Sequence, residues 1–489
     1  MQRKLPTLLL SLATWTTVTL LVGCTFALSG IAGIYAAIVL ASLVVFGAVA
    51  AKCPAGVMAA AIWCLGLFPF SWGLQTGVLP KLFGDESLLL LYLAVFPFLY
   101  LFTMRSWLHG FSALYVVLAV FLCTQALSFA TARTDLVASR NFLETYVLGV
   151  LLLVLFLQEV SNANPETIGT SVFWITVFIA TLSVVEAIVQ RNPIMERSTD
   201  IPYLSPELAR ITEGVYRPYV SFFHPSEAGT FMALGVPFVL RGCVYRKAWL
   251  SSIALAVVTA GLIINATRGV WFGVAIASLF LIPNARVILS AIIPIGAITG
   301  VISYLAFKTS PFMQRLTDLN NLYSRLESWK VAVKIFIAHP LIGVGHMQFK
   351  EVYLDYVQNL SNLAHFDIGK IFVADNMYLT TTVEHGSLGL FTLLGLFVFA
   401  AALLRKSRMR LLASGLTTEA SFVRCSELAL VIYAATGCFA DLNQFTKATK
   451  YVFILVGLGL GAGGRYVRSM HSATKVVADK DTLMRVHGL

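Results

Sequence analysis

Apolar runs recur along the whole chain, broken by short polar stretches, with no sustained alternation of apolar and polar positions. Each run holds about 17–25 residues, enough for a helix to cross a hydrocarbon layer roughly 30 Å thick. A membrane β-barrel would instead alternate with a period of two in segments of about ten residues. The pattern predicts spans near 6–28, 30–50, 55–73, 86–104, 109–130, 142–159, 168–190, 226–242, 248–266, 269–284, 286–307, 376–403, 422–440 and 447–464. The expected fold class is an all-α polytopic membrane protein with about 12–14 transmembrane helices, read as a single membrane domain over 1–489.

Two polar stretches are long, 191–225 and 308–375, and a short tail covers 465–489. The larger stretch contains "NLYSRLESWKVAVKIFIAHP", in which Leu322, Leu326, Trp329, Val333 and Phe336 recur with helical spacing. Glu327, Lys330 and Lys334 point the other way, which predicts an amphipathic helix lying on the membrane surface with that stripe down. Arg325 falls beside the stripe, and Pro340 with the glycines of "PLIGVG" ends the helix.

Composition supports the pattern: 58% of residues are hydrophobic and 12% charged, with a mean hydropathy of +0.81. Such a chain cannot clothe a soluble surface of this size. The net charge of +11 follows from orientation. With "MQRK" cytoplasmic, the inside segments collect Lys52, Arg105, Arg241, Arg246, Lys247, Arg286, Arg405, Lys406, Arg408, Arg410 and the tail from Arg465. Both termini are then cytoplasmic and both long loops extracytoplasmic, and no compact basic domain exists to bind nucleic acid. The first run ends in "LVGC" at Cys24, a lipoprotein-like processing site, but a second run follows at once, so an uncleaved first span is expected. The seven cysteines form no disulfide framework and no metal-type spacing, and read as buried, inert thiols.

Two letter patterns have plain explanations. Gly459-x-Gly461-x-x-Gly464 has dinucleotide-loop spacing but sits inside the last span, where close helix packing explains it. Asp479 and Asp481 fall in the basic tail, where a solvated charge cluster is expected.

Three clusters at the outer ends of spans are harder to dismiss. "RPYVSFFHPSEAG" carries Arg217, His224, Ser226 and Glu227; "NATRG" carries Arg268; "ADNMYLTTTVEHGSLG" carries Asp375, Asn376 and Glu384. Each has a bland reading, as a loop charge for Arg217, a snorkelling anchor for Arg268 and a helix N-cap for Asp375–Asn376. No extracytoplasmic acidic pair or His/Asp cluster stands out in the sequence, so neither a metal nor a cofactor is expected.

These motifs, with "SRLESWKVAVKIFIAHPLIGVGHMQF", resemble in order and spacing the successive motifs of the O-antigen ligase and polysaccharide polymerase family, over roughly residues 205–400. The resemblance implies a bacterial inner-membrane protein whose periplasmic face moves a glycan from undecaprenyl pyrophosphate to an acceptor. That acceptor is lipid A–core for a ligase, or a growing surface or exopolysaccharide chain for a polymerase. It also implies that Arg217 and Arg268 are the functional arginines. Similar ligases carry a histidine before the asparagine of the "DN" position; here that residue is Asp375, which leaves ligase and polymerase equally open.

The residues themselves suit such chemistry. Arginines pre-placed in a partly dry cleft stabilise the charge that develops on a departing pyrophosphate. Arg217, Arg268, Arg325 and Asn376 are the candidates for holding it, with Arg268 acting in the chemical step as well. Asp375 or His224 is the candidate base for the acceptor hydroxyl. The competing class is a multi-span transporter or flippase of a lipid-linked or anionic substrate, for which Glu144, Glu186 and Glu384 within spans speak; a membrane scaffold is a third.

Overall fold

The computed structural model describes residues 54–67, 112–132, 136–159, 165–192, 211–212, 215–222, 224–245, 248–281, 320–357 and 374–464. The spans expected near 6–28, 30–50, 86–104 and 286–307, Cys24 and the tail 465–489 lie outside these residues. The described residues are helical apart from turns and one two-residue antiparallel ladder, β1 (Ile211–Thr212) with β2 (Val215–Tyr216). The protein is an all-α polytopic membrane protein; among the described residues three helices are long and apolar enough to span alone, with several shorter apolar ones.

The helices are α1 (Pro54–Leu67), α2 (Ser112–Thr131), α3, α4 (Pro165–Val189), α5 (Pro225–Tyr245), α6 (Ala248–Asn265) and α7 (Arg268–Leu281). Then follow α8 (Asn320–Ala338), α9 (Phe349–Val357), α10 (Met377–Ala413), α11 (Thr417–Thr436) and α12 (446–464). Helix α3 runs through Leu136–Phe142, a π-helical turn Leu143–Val147 and Leu148–Glu159. Pro54, Pro165 and Pro225 each open a helix, where proline's fixed φ helps and its missing N–H costs nothing.

The main core gathers around α5, where Phe231 stacks on Tyr451 of α12 and Phe238 meets Phe422 of α11 edge-on. Large apolar side chains also lie on the outside: Ile188 is 76% exposed, Val398 69% and Phe391 69%. A soluble surface would not present them so densely, and lipid is the solvent they fit. Cys123 of α2 belongs to this exposed set, contrary to the expectation of burial, whereas Cys425 is buried. Gly459 explains its letter pattern by packing, since a Cβ there would come within 2.5 Å of Ser426 Cβ. At the helix ends that carry the expected cytoplasmic arginines, Arg241 grips Glu166 through two bonds of 2.6 and 2.8 Å, and Arg408 pairs with Glu427 at 2.8 Å.

Two further expectations need correction. The span expected as one helix over 376–403 is broken at Gly386, whose φ of 65° and ψ of −167° interrupt α10. The amphipathic helix exists as α8, but its packed face is Ser328, Val331, Ala332 and Ile335, against Phe349, Tyr353, Ala374 and Val383. Of the expected stripe, Leu326 and Val333 are exposed and Trp329 and Phe336 half-buried. α8 is apolar on most sides, so tertiary packing, not periodicity, selected the buried one.

Candidate functional site

The loop 437–445, between α11 and α12, joins the polar clusters. Its backbone carbonyls receive the other segments: Met377 N–H donates to Gly437 O (2.8 Å) and Ala440 O (3.1 Å). The Asn376 amide donates to Cys438 O (3.0 Å) and the Arg325 guanidinium to Phe439 O (3.1 Å). Phe439 packs edge-on to Phe272 of α7, and a Cβ on Gly269 would come within 2.8 Å of Phe439 Cβ, so the start of α7 lies against the same residue. Phe445 stacks on His224, with ring centroids 5.7 Å apart.

Arg217 and Arg268 meet through "NAT". The buried Arg217 side chain donates to Asn265 O (3.1 Å), Thr267 Oγ1 (2.9 Å) and Ser226 Oγ (3.4 Å). The Asn265 amide in turn donates to Pro218 O (3.1 Å) and Pro225 O (2.7 Å). Asn265 ends α6 and Arg268 opens α7, with Ala266 between them at φ 54°. The tight turn sets Arg268 at the mouth of a helix with its residue exposed.

Arg325 and Asp375 form the other half. Arg325 Nη2 lies 3.2 Å from Asp375 Oδ2, and its Nε is buried with no hydrogen-bond partner. Asp375 holds φ at 46°, an uncommon conformation outside glycine. It is fixed from both sides, since Trp329 Nε1 donates to Ala374 O (2.7 Å) and the Asn376 carboxamide accepts from Tyr378 N (3.0 Å) and Leu379 N (3.1 Å). Asn376 is therefore the N-cap of α10, and its amide is already committed. His224 Nδ1 accepts from Ser226 N–H (3.1 Å), so the neutral ring carries its proton on Nε2.

Several charged residues here escaped the sequence reading. Asp441 is buried in the loop, its Oδ1 accepting from Asn443 N–H. Burial, reinforced by the charge of Asp375, pushes its carboxyl up to about 7. Lys447 and Lys450 are fully buried at the start of α12. Lys447 Nζ donates to Ser221 O (2.9 Å), its N–H donates to Glu227 Oε1 (2.9 Å), and Lys450 lies 3.5 Å from Glu144 of the π-helical turn. Two lysines opening an apolar run were a legible sign, because charge inside a span has to find a partner. Glu186 holds Tyr219 and Val220 through their N–H groups and accepts from Tyr216 Oη. Two of the carboxylates that spoke for transport, Glu144 and Glu186, thus anchor segments of the structure.

A third group comprises His346, Glu384 and His385. The loop after α8 runs alongside the break in α10, with Val344 N–H bonded to Val383 O (2.9 Å) and Gly345 N–H to Glu384 O (3.0 Å). In return Ser387 N–H donates to Pro340 O (2.8 Å) and Leu388 N–H to Leu341 O (3.2 Å). The backbones touch because Gly343 (φ 79°) and Gly386 carry no side chain; a Cβ on either would overlap the opposite main chain. "PLIGVG" and "EHGSLG" are thus two halves of one clasp, and the three side chains sit inside it, His346 coming from 38 residues before the adjacent Glu384 and His385.

Residues 229–394 match the family model described as O-antigen ligase, about a third of the chain. The match contains Arg268, Arg325, Asp375, Asn376 and the clasp, and omits Arg217, His224 and the loop 437–445. No curated protein matches the chain.

Proposed function

From the O-antigen ligase family assignment carried by residues 229–394, we propose that this chain moves a glycan from undecaprenyl pyrophosphate to a lipid or glycan acceptor. The coarser part, a family of ligase- and polymerase-type glycan transfer, rests on the match. Donor, acceptor, inner-membrane location and periplasmic active face are the proposed part. The observation that carries the reading is the meeting of Arg217, Arg268, Arg325 and Asp375, from four distant stretches of chain, around Phe439 and "NAT".

In this reading the exposed Arg268 and the half-buried Arg325 bind the pyrophosphate oxygens, and Arg217 holds the turn that presents Arg268. Guanidinium groups suit that task because their donors match phosphate in pairs and stay charged. Asp375 takes the proton of the acceptor hydroxyl as it attacks the anomeric carbon, and the pyrophosphate leaves with the bonding pair. Asn376 positions Asp375 by capping α10. His224 suits the base less well, since its Nδ1 is already an acceptor.

Gene deletion with analysis of surface glycans tests this. Loss of attached chains with lipid-linked polymer accumulating identifies a ligase, and single repeat units identify a polymerase; an unaltered glycan refutes both. Complementation with Arg268→Ala should restore membrane insertion but no transfer. Transfer by purified protein in detergent, where no compartments exist, separates an enzyme from a flippase.

A further inference from the structure

The chemistry proposed for the loop 437–445 leaves His346, Glu384 and His385 unused. All three are buried, at 1%, 5% and 1% exposure. His346 Nδ1 lies 3.4 Å from His385 Nε2, and each of these nitrogens lies 3.9 Å from Glu384 Oε2. Three buried polar atoms therefore point at one another, yet the carboxylate is beyond hydrogen-bonding reach of both rings. The triangle they form has a centre about 2.2 Å from each corner, and zinc bonds nitrogen and carboxylate oxygen at roughly 2.0–2.2 Å.

We propose that this clasp binds a zinc-class divalent cation through His346 Nδ1, His385 Nε2 and Glu384 Oε2, with water as a fourth ligand. Two imidazoles and a carboxylate without thiolate suit zinc. The surroundings fit a structural site. The N–H groups of Met347 and Phe349 donate to the Glu384 carboxylate, and Ser128 Oγ donates to Glu384 O at 2.7 Å, which fixes the ligand from outside. Phe129, Phe142 and Tyr146 wall the His346 ring, with centroids 5.6–6.4 Å away, and Tyr146 also meets His385 edge-on. The ion would fasten the loop after α8 to the break in α10. The first piece of α10, nine residues or about 13 Å long, has Asp375 at one end and His385 at the other, so the ion would hold still the helix that presents Asp375.

The test uses the full chain in detergent, purified through a tag without histidines, stripped with a chelator, then given zinc chloride and desalted. About one zinc per chain is expected, with a rise in melting temperature of several degrees. Cobalt(II) in place of zinc should give the visible absorption of a low-symmetry, four-coordinate ion. His346→Gln and Glu384→Gln should retain no zinc while eluting as monodisperse protein. Wild-type protein that retains no zinc and gives no cobalt band overturns the proposal, and so does zinc held equally by the variants. The cobalt spectrum needs no variant, so poor folding of either substitution leaves the proposal testable. None of these readouts is glycan transfer, so the assignment stands or falls apart from the proposed function.

Discussion

Gly386→Ala should be among the most damaging single-methyl changes available in this protein. The φ of 65° and ψ of −167° at Gly386 fall in a region essentially reserved for glycine, which alone costs an alanine about 1–3 kcal/mol. The added Cβ would also overlap the Leu341 carbonyl and approach Ile342 N to 2.6 Å. Both neighbours are backbone, so relief requires the two strands of the clasp to part. Parting removes the four hydrogen bonds at Val344, Gly345, Ser387 and Leu388, worth about 1 kcal/mol each. The total is about 5–7 kcal/mol, a large share of a native stability of about 5–15 kcal/mol.

Gly395 supplies the control. It lies in the same helix, and a methyl added there would meet nothing within 4 Å, so Gly395→Ala should be neutral or stabilising by up to about 1 kcal/mol. Thermal unfolding of detergent-solubilised protein, followed by size-exclusion fluorescence, compares the two. At about 2–4 °C per kcal/mol, Gly386→Ala should lose about 10 °C or more, or yield no monodisperse protein. A Gly386→Ala protein melting within about 2 °C of wild type would refute the reasoning, because the clasp could then open without cost.

Other outcomes follow from the site. Asp375→Asn should abolish transfer with little change in melting temperature, and His224→Gln should retain most turnover; the reverse pattern moves the base to His224. Asp441 is a destabilising group at neutral pH: its carboxyl, near 3.8 when unfolded, is raised to about 7 in the native state, so the unfolded chain ionises first and stability falls as pH rises between those values. The gap is worth up to roughly 4 kcal/mol. Asp441→Asn should therefore melt close to wild type at pH 4 and increasingly above it towards pH 8, and parallel melting curves across that range would contradict the assignment.

The spans were legible because lipid makes a single demand on a helix, that its outer face be apolar over a fixed length. α5, α6 and α7 end within a few residues of the hydropathy runs. What escaped the sequence was decided by protein against protein. The break at Gly386 lies within the span expected over 376–403, and the partner that requires it, Leu341, belongs to another loop. Arg217, Arg268 and Asp375 could be nominated from their polar type at span mouths, and Arg325 from its place beside the apolar stripe of the loop helix. That the loop around Phe439 would gather them could not, because the loop contributes mainly backbone carbonyls, which every residue carries.

The strained residues suggest what this arrangement is for. Among the described residues five non-glycines hold positive φ: Gln190, exposed just after α4, and Val220, Ala266, Met347 and Asp375. Each costs about 1–3 kcal/mol and persists only where its surroundings leave no alternative. A polar side chain enforces each of the last four: Glu186 and Asn192 grip Val220 at 2.7 Å each, Arg217 grips the Asn265 carbonyl before Ala266, Glu384 takes the Met347 N–H, and Arg325 with Asn376 braces Asp375. Three of these four lie in the segments that carry Arg217, Arg268 and Asp375, and the fourth lies in the clasp. Rigid loops at the ends of spans lower stability, yet they fix charged groups before a ligand arrives, which is where the proposed electrostatic stabilisation of a departing pyrophosphate would gain most. A transporter that must rock between two states would be hindered by the same bracing. The placement of the strain therefore favours a fixed transfer site over a moving gate.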